Sequence, residues 1–259
     1  MSNMRSNAII IGLAGRAGSG KTSVAESIVP KGAFDTSKYG AEWDHIFFAL
    51  PLYEMASART NIQGHNQESR IKYSIHETLF DLYGRSSIGI IPNYDELVNR
   101  VNLISSIPIS SDGSKPRSFL QKAGDICREG FEDCFCRWAV RKSSHLYSRY
   151  ASSLEEDEEE KPFYVIVSDV RYPNEAASIL NVPNSKVIYF DASDETLNDR
   201  LTKRDGRPST PEQAAHSSEQ SSVVVKSMAS HVINTDSMTI EQQVEATIQA
   251  LGLKEFHNA

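Results

Sequence analysis

The chain has 259 residues, 39% apolar and 24% charged, enough for one large α/β domain with a substantial core and unlike collagen, coiled coil or a disordered chain. Its net charge of −7 is local, because six consecutive acidic residues run from Glu155 to Glu160 and the remainder stands at −1; no broad basic nucleic-acid footprint is present. No apolar run is long enough to span a bilayer, and the apolar stretch Ala8–Ala14 runs into a glycine loop rather than a cleavage site, which points to a cytoplasmic protein.

The chain reads as one alternating α/β pattern without internal repeats. Ala8–Ala14 (AIIIGLA) is a β-branched run expected as a strand buried on both faces. A loop over Gly15–Gly20 leads to a helix over Lys21–Val29. His45–Leu50 is expected as a short strand, with Pro51 in the first turn of a helix through Arg59. Asn61–Ser69 is polar and expected to be mobile. Helices are expected over Ile71–Tyr83, with Gly84 at its end, and over Tyr94–Ile104. A loop rich in Ser, Pro and Gly (Ser105–Pro116) precedes a helix over Phe119–Arg128. Phe131, Cys134, Phe135 and Trp138 then recur at i, i+3, i+4 and i+7, an apolar helical stripe.

The acidic tract is expected as a solvated loop. Beyond it, Phe163–Val167 is a second apolar strand, ended by Ser168-Asp169. Pro173–Leu180 fits a short helix and Lys186–Phe190 a strand. Asp194–Arg204 is a charged helix with Ser193 as N-cap and Gly206 beyond its end. Thr210-Pro211 is a candidate start for another short helix, and His231–Asn234 is a last strand. Thr239 and Gln242 match a capping box for the final helix, which Gly252 follows. Strands alternating with helices imply a doubly wound, mostly parallel sheet. Cys127, Cys134 and Cys136 have no zinc spacing and are expected as reduced thiols facing the core.

Gly15-Arg16-Ala17-Gly18-Ser19-Gly20-Lys21-Thr22 matches G-x-x-x-x-G-K-[ST], with a buried strand before it and a helix after it. The glycines let the backbone curl so that N–H groups point inward, and the helix N-terminus adds partial positive charge. Lys21 is the candidate contact to the β- and γ-phosphates, and Thr22 the candidate Mg²⁺ ligand. Asp169, at the end of an apolar strand where ligand crevices lie in open α/β sheets, is the candidate second metal contact; the alternative is a carboxylate capping the next turn.

A phosphate loop leaves a switch GTPase, a motor-type ATPase and a small-molecule kinase open. There is no N-K-x-D guanine-reading tetrad, and the chain is short for a helicase core. Arginine placement favours a kinase, since two phosphate-bearing substrates must be neutralised together. Arg200 and Arg204 share one helix face beside Lys203 and Arg207, which also suits a solvated, salt-bridged face. Arg117, Arg128 and Arg171 each sit at or near the end of an element.

Taken in order, these motifs resemble the deoxynucleoside monophosphate kinases of bacteriophages, a branch of the P-loop nucleotide-kinase superfamily. The resemblance rests on the phosphate loop; Phe48-Ala49 with Pro51-Leu52; Arg117-Ser118-Phe119-Leu120-Gln121-Lys122-Ala123-Gly124 leading to Arg128; Ser168-Asp169-Val170-Arg171-Tyr172-Pro173-Asn174-Glu175-Ala176; and His216-Ser217-Ser218-Glu219. It implies a single kinase domain over 1–259: a core at 8–50 and 163–252, a helical monophosphate-binding region at about 51–150, and a lid at about 194–222. It further implies transfer of the γ-phosphoryl group of ATP to a deoxynucleoside monophosphate. Gly15 to Thr22 would cradle ATP and Asp169 would organise Mg²⁺. Arg117, Gln121 and Arg128 would line the monophosphate site, with Arg171 near the acceptor phosphate. Arg200 and Arg204 would belong to the lid, braced by His216 and Glu219. Many phage relatives carry an aspartate where this chain has Thr22. Two alternatives stand beside this: a phage kinase acting on 5-hydroxymethyluracil in DNA, the one reading with a nucleic-acid partner, and a regulatory P-loop ATPase without a phosphoryl acceptor. A homodimer is compatible with the sequence, and a membrane partner is not expected.

Overall fold

Successive residues of the first apolar run point to opposite sides of a sheet, and both sides are buried. The computed structural model describes residues 8–29, 37–84, 93–109, 116–155, 158–206 and 221–253. Strand β1 (Ile9–Ala14) lies at the middle of a sheet with β2 (Ser37–Lys38), β3 (Ala41–Ile46), β4 (Phe163–Val170), β5 (Lys186–Asp191) and β6 (His231–Asn234), in the order β2-β3-β4-β1-β5-β6. The five strands β3, β4, β1, β5 and β6 run parallel. β2 pairs antiparallel with β3 across Tyr39-Gly40, both at positive φ, as a two-residue hairpin turn with primed geometry requires.

Helices cover both faces, as a parallel sheet demands. Ile11 and Leu13 join a core cluster with Val24, Ala25 and Ile28 of α1 (Lys21–Ile28) and Val244 and Ile248 of α10 (Ile240–Leu251). On the other face Gly12 makes room for α7 (Pro173–Leu180): a Cβ there would stand 2.7 Å from Ile179 Cδ1 and 3.0 Å from Val170 Cγ2. The fold is thus α/β and doubly wound, with a parallel sheet flanked by helices.

The chain divides into two compact units, Met1–Phe47 with Val140–Ala259, and Phe48–Ala139. The first holds the sheet. The second holds α2 (Leu50–Asn61), α3 (Gln67–Tyr83), α4 (Tyr94–Ser106), α5 (Arg117–Arg128) and the start of α6 (Cys134–Ser153). Two arginines in the helical unit serve helix ends. Arg100, 5% exposed, donates to the carbonyls of Ile126 and Glu129 at the close of α5 and pairs with Glu96. Arg59 donates to the carbonyls of Ser105 and Ile107 at the close of α4. In both cases a cation satisfies carbonyls that a helix leaves unpaired.

Several boundaries depart from the sequence reading. The strand expected at His45–Leu50 lies at Ala41–Ile46 instead, because the apolar run straddles a strand end and the start of α2, where Pro51 sits in the first turn. Phe131 precedes its helix, and the last three residues of the polar stretch after Asn61, from Gln67 to Ser69, belong to the start of α3. β4 continues past Ser168-Asp169 to Val170. The helix α9 (Ser222–Met228) was not anticipated. Cys127, Cys134 and Cys136 form no disulfide and are buried, and burial pushes the Cys134 thiol up to about 12. Glu155 and Glu158 to Glu160 are exposed. No helix among the described residues is long and apolar enough to cross a membrane. Arg207, the Thr210-Pro211 start, His216 and Glu219 lie outside the described residues, as does the middle of the 105–116 loop.

Candidate functional site: the phosphate loop and its neighbouring strands

β1 ends at Ala14 and α1 begins at Lys21, so six residues must reverse the chain between a strand and a helix. Gly15, Gly18 and Gly20 do so at φ of 133°, 85° and 100°, a region that side chains disfavour. Space demands glycine as well. A Cβ on Gly15 would overlap the Phe190 carbonyl oxygen, and one on Gly20 would overlap Gln243 Oε1. One on Gly18 would press on the Leu197 carbonyl at 3.1 Å.

The Lys21 ammonium lies within the curl, donating to Gly15 O at 2.6 Å, Arg16 O at 2.8 Å and Ser19 Oγ at 3.2 Å. Lys21 is 8% exposed and Ser19 1%. Gly20, the N-cap of α1, offers no capping side chain. That end of α1 therefore presents backbone N–H groups and the positive end of its dipole, which suit a phosphate. Arg16 forms an ion pair with Asp194, the first residue of α8 (Asp194–Asp205), and Ala17 completes the loop.

Neighbouring strands bring the other candidates in. The chain leaves β1 toward β3 on one side of the sheet order and leaves β4 toward β5 on the other, so their carboxyl ends form a topological switch point. Gly12 pairs with Val167 but Ala14 with Val170, so β4 carries one extra residue opposite Leu13, a β-bulge over Ser168-Asp169. The bulge places Asp169 level with the end of β1, where the phosphate loop starts. Asp169 is half-exposed, whereas Ser168 and Val170 are buried.

Arg171 is exposed just after the strand. Its backbone N–H and that of Tyr172 donate to Glu175 Oε2 at 2.8 and 3.1 Å. Glu175 is 3% exposed and lies in the first turn of α7, so one buried carboxylate fixes the whole turn after β4.

The basic helix α8 is tied down along its first half. Its N-cap Ser193 is held by Asp236, whose carboxyl is kept below the usual range by the Ser193 N–H first of all. Arg200 donates to Thr235 Oγ1 at 3.1 Å and to the Thr235 carbonyl, at the end of β6. Lys203 pairs with Asp199, and Arg204 is exposed in the last turn. Arg200 and Arg204 thus share a helix but differ in surroundings.

Arg117, Gln121 and Arg128 belong to α5 in the helical unit. With Gly124 they fall at i, i+4, i+7 and i+11, one stripe of that helix, which borders the buried face of Phe119, Ala123 and Cys127 at the buried Gly124. Arg128 stacks on the Phe135 ring with Cζ 4.6 Å from its centroid. A Cβ on Gly124 would stand 3.0 Å from Arg128 Nη1, so glycine lets that guanidinium lie along the helix.

Among the described residues no three His, Cys, Asp or Glu gather as a metal cage. The candidate oxygen donors are the exposed Thr22 hydroxyl and the half-exposed Asp169 carboxylate. Such a sparse, hard donor set fits Mg²⁺, which keeps several waters and takes phosphate oxygens for the rest. Sequence reasoning assigned no role to Glu175, Asp194, Thr235 or Gln243. For Glu175 alone a signal was legible, an acidic residue two places after a proline that opens a helix.

No family model matches the chain, and no curated protein does. Among the solved structures that overlap it are three of low similarity. TT1252 from Thermus thermophilus shares 17% identity over 94% of this chain and 98% of its own, with a TM-score of 0.42. A sugar kinase from Janibacter sp. HTCC2649 shares 12% over 95% of each chain, with a TM-score of 0.39. An uncharacterized protein from Eubacterium ventriosum shares 11% over 94% and 98%, with a TM-score of 0.38. Overlaps this loose carry no functional argument, so the chemistry rests on the site itself.

Proposed function

We propose that the protein is a deoxynucleoside monophosphate kinase, transferring the γ-phosphoryl group of ATP to the 5′-phosphate of a dNMP to give dNDP and ADP. The observation that carries this is the phosphate loop closed around the Lys21 ammonium, with the β4 bulge setting Asp169 level with its start. The ordered motifs from Arg117 to Arg128 and from Ser168 to Ala176 support the choice of acceptor.

In this reading an oxygen of the acceptor phosphate attacks the γ-phosphorus, the bond to the bridging oxygen breaks, and ADP departs with that electron pair. The acceptor is already anionic, so no general base is needed; positioning and charge neutralisation supply the rate. Lys21 and the loop N–H groups hold the β- and γ-phosphates. Thr22 and Asp169 would hold Mg²⁺, which supplies further neutralisation of the phosphate oxygens when bound. Arg171 steadies the acceptor phosphate, and Arg117, Gln121 and Arg128 bind the monophosphate. Arg204 acts from the exposed last turn of α8, in the segment proposed to close as a lid and exclude water, and Arg200, held at Thr235, anchors that helix.

Release of ADP from ATP–Mg²⁺, measured with and without each dNMP, tests the reading. Release that rises with at least one dNMP supports it, and release indifferent to all of them contradicts it. Arg128→Ala is expected to raise the KM for the dNMP about 10- to 100-fold, the loss of one charge-assisted hydrogen bond. ATP affinity should stay at the wild-type value. Calorimetric titration with each ligand separates the two, and an unchanged monophosphate affinity contradicts the assignment of α5.

A further inference from the structure

β3 pairs with β4 only as far as Ile46 with Val167. Just beyond that register a side chain links the two strands: His45 Nε2 lies 2.7 Å from the Oγ of Ser168, the first residue of the bulge. Ser168 is 2% exposed, so its hydroxyl depends on a protein partner. His45 stands opposite Ile166, two residues before Ser168 on the same strand.

A bulge is an alternative to regular pairing, and a slip of one residue sends each side chain to the other face of the sheet. For β4 that choice decides where the Asp169 carboxylate points. We propose that His45 is a positioning residue: by holding Ser168 Oγ it fixes the β4 bulge, and through the bulge it fixes Asp169 toward the Mg²⁺ of the bound nucleotide. This rests on the reading of Asp169 as a metal-organising residue. Neither His45 nor Ser168 touches substrate in this account; they set the direction of the group that does. Ligand-orienting partners of this kind typically change metal affinity 10- to 100-fold when removed.

The test uses Mn²⁺ as a paramagnetic probe, titrated into the full chain with saturating ATP and followed by electron paramagnetic resonance. His45→Phe keeps the bulk and removes the ring nitrogen, His45→Gln keeps a hydrogen-bonding group, and Ser168→Ala removes the other partner. His45→Phe is expected to weaken Mn²⁺ binding about 10- to 100-fold, with metal-free ATP binding unchanged. His45→Gln should recover a large part of the loss. Ser168→Ala should match His45→Phe, and the double variant should be no weaker than either, as for two halves of one interaction. Wild-type Mn²⁺ affinity in both single variants overturns the inference alone, and so do losses that add in the double variant. A wild-type protein that binds no Mn²⁺ with ATP overturns the reading of the phosphate loop and this inference with it.

Discussion

Lys21→Met is expected to lower turnover about 10²–10³-fold, the scale found when one preorganised donor to a developing charge is removed. Methionine keeps the unbranched stem and deletes the ammonium with its charge and hydrogen-bond donors. In the structure that charge is held by the carbonyls of Gly15 and Arg16 and by Ser19 Oγ, inside a loop shaped by three glycines at positive φ. Part of the organisation survives its loss, because the close approach of Phe190 to Gly15 and of Gln243 to Gly20 involves no atom of Lys21. The variant should therefore fold with a near-native circular dichroism spectrum and melting temperature. Steady-state kinetics with ATP–Mg²⁺ gives the comparison; a variant as fast as wild type contradicts the role of Lys21.

Glu175→Ala is expected to show the largest effect on stability, about 2–4 kcal/mol for stranding two backbone donors and emptying a buried polar position. At roughly 2–4 °C per kcal/mol for a chain of this size class, the melting temperature should fall measurably. The loss has a functional side too. Glu175 holds the N–H groups of Arg171 and Tyr172, and these residues follow directly on the Asp169 bulge. Glu175→Gln retains an acceptor oxygen and should lose less on both counts. Differential scanning calorimetry on the pair decides it. Equal melting temperatures for Glu175→Ala and wild type would show that the carboxylate does not brace the turn.

The parts of this architecture that were legible from sequence are those whose signals are local. Thr239 and Gln242 exchange the reciprocal hydrogen bonds of a capping box. Ser193 accepts from Thr196 N at the start of α8, and Gly206 and Gly252 close their helices at positive φ. The phosphate loop belongs to this class, since strand, glycines and helix are contiguous.

What escaped was set by pairing between distant segments. β3 is an edge-side strand whose polar positions, Glu42 and Asp44, alternate with Ala41 and Trp43. The continuous run His45–Leu50 looked more strand-like but spans a strand end and a helix start. The extra residue in β4 exists only relative to β1, so no pattern within Phe163–Val170 reveals it. Arg200 illustrates the same limit in the site. Its spacing from Arg204 suggested one shared role, yet Thr235, 35 residues away, holds one of the two. Arg100 and Arg59 were equally invisible as helix-end partners, because the carbonyls they serve lie 26 to 48 residues further on.

The proposed acceptor of the γ-phosphoryl group is a free deoxynucleoside monophosphate. Incubating the protein with γ-labelled ATP, Mg²⁺, a panel of dNMPs that includes modified bases, and duplex DNA carrying 5-hydroxymethyluracil resolves it by where the label goes. Label is expected in the β-phosphate of a dNDP, formed in step with ADP. Label appearing in the DNA, or in free phosphate alone, would contradict the proposal.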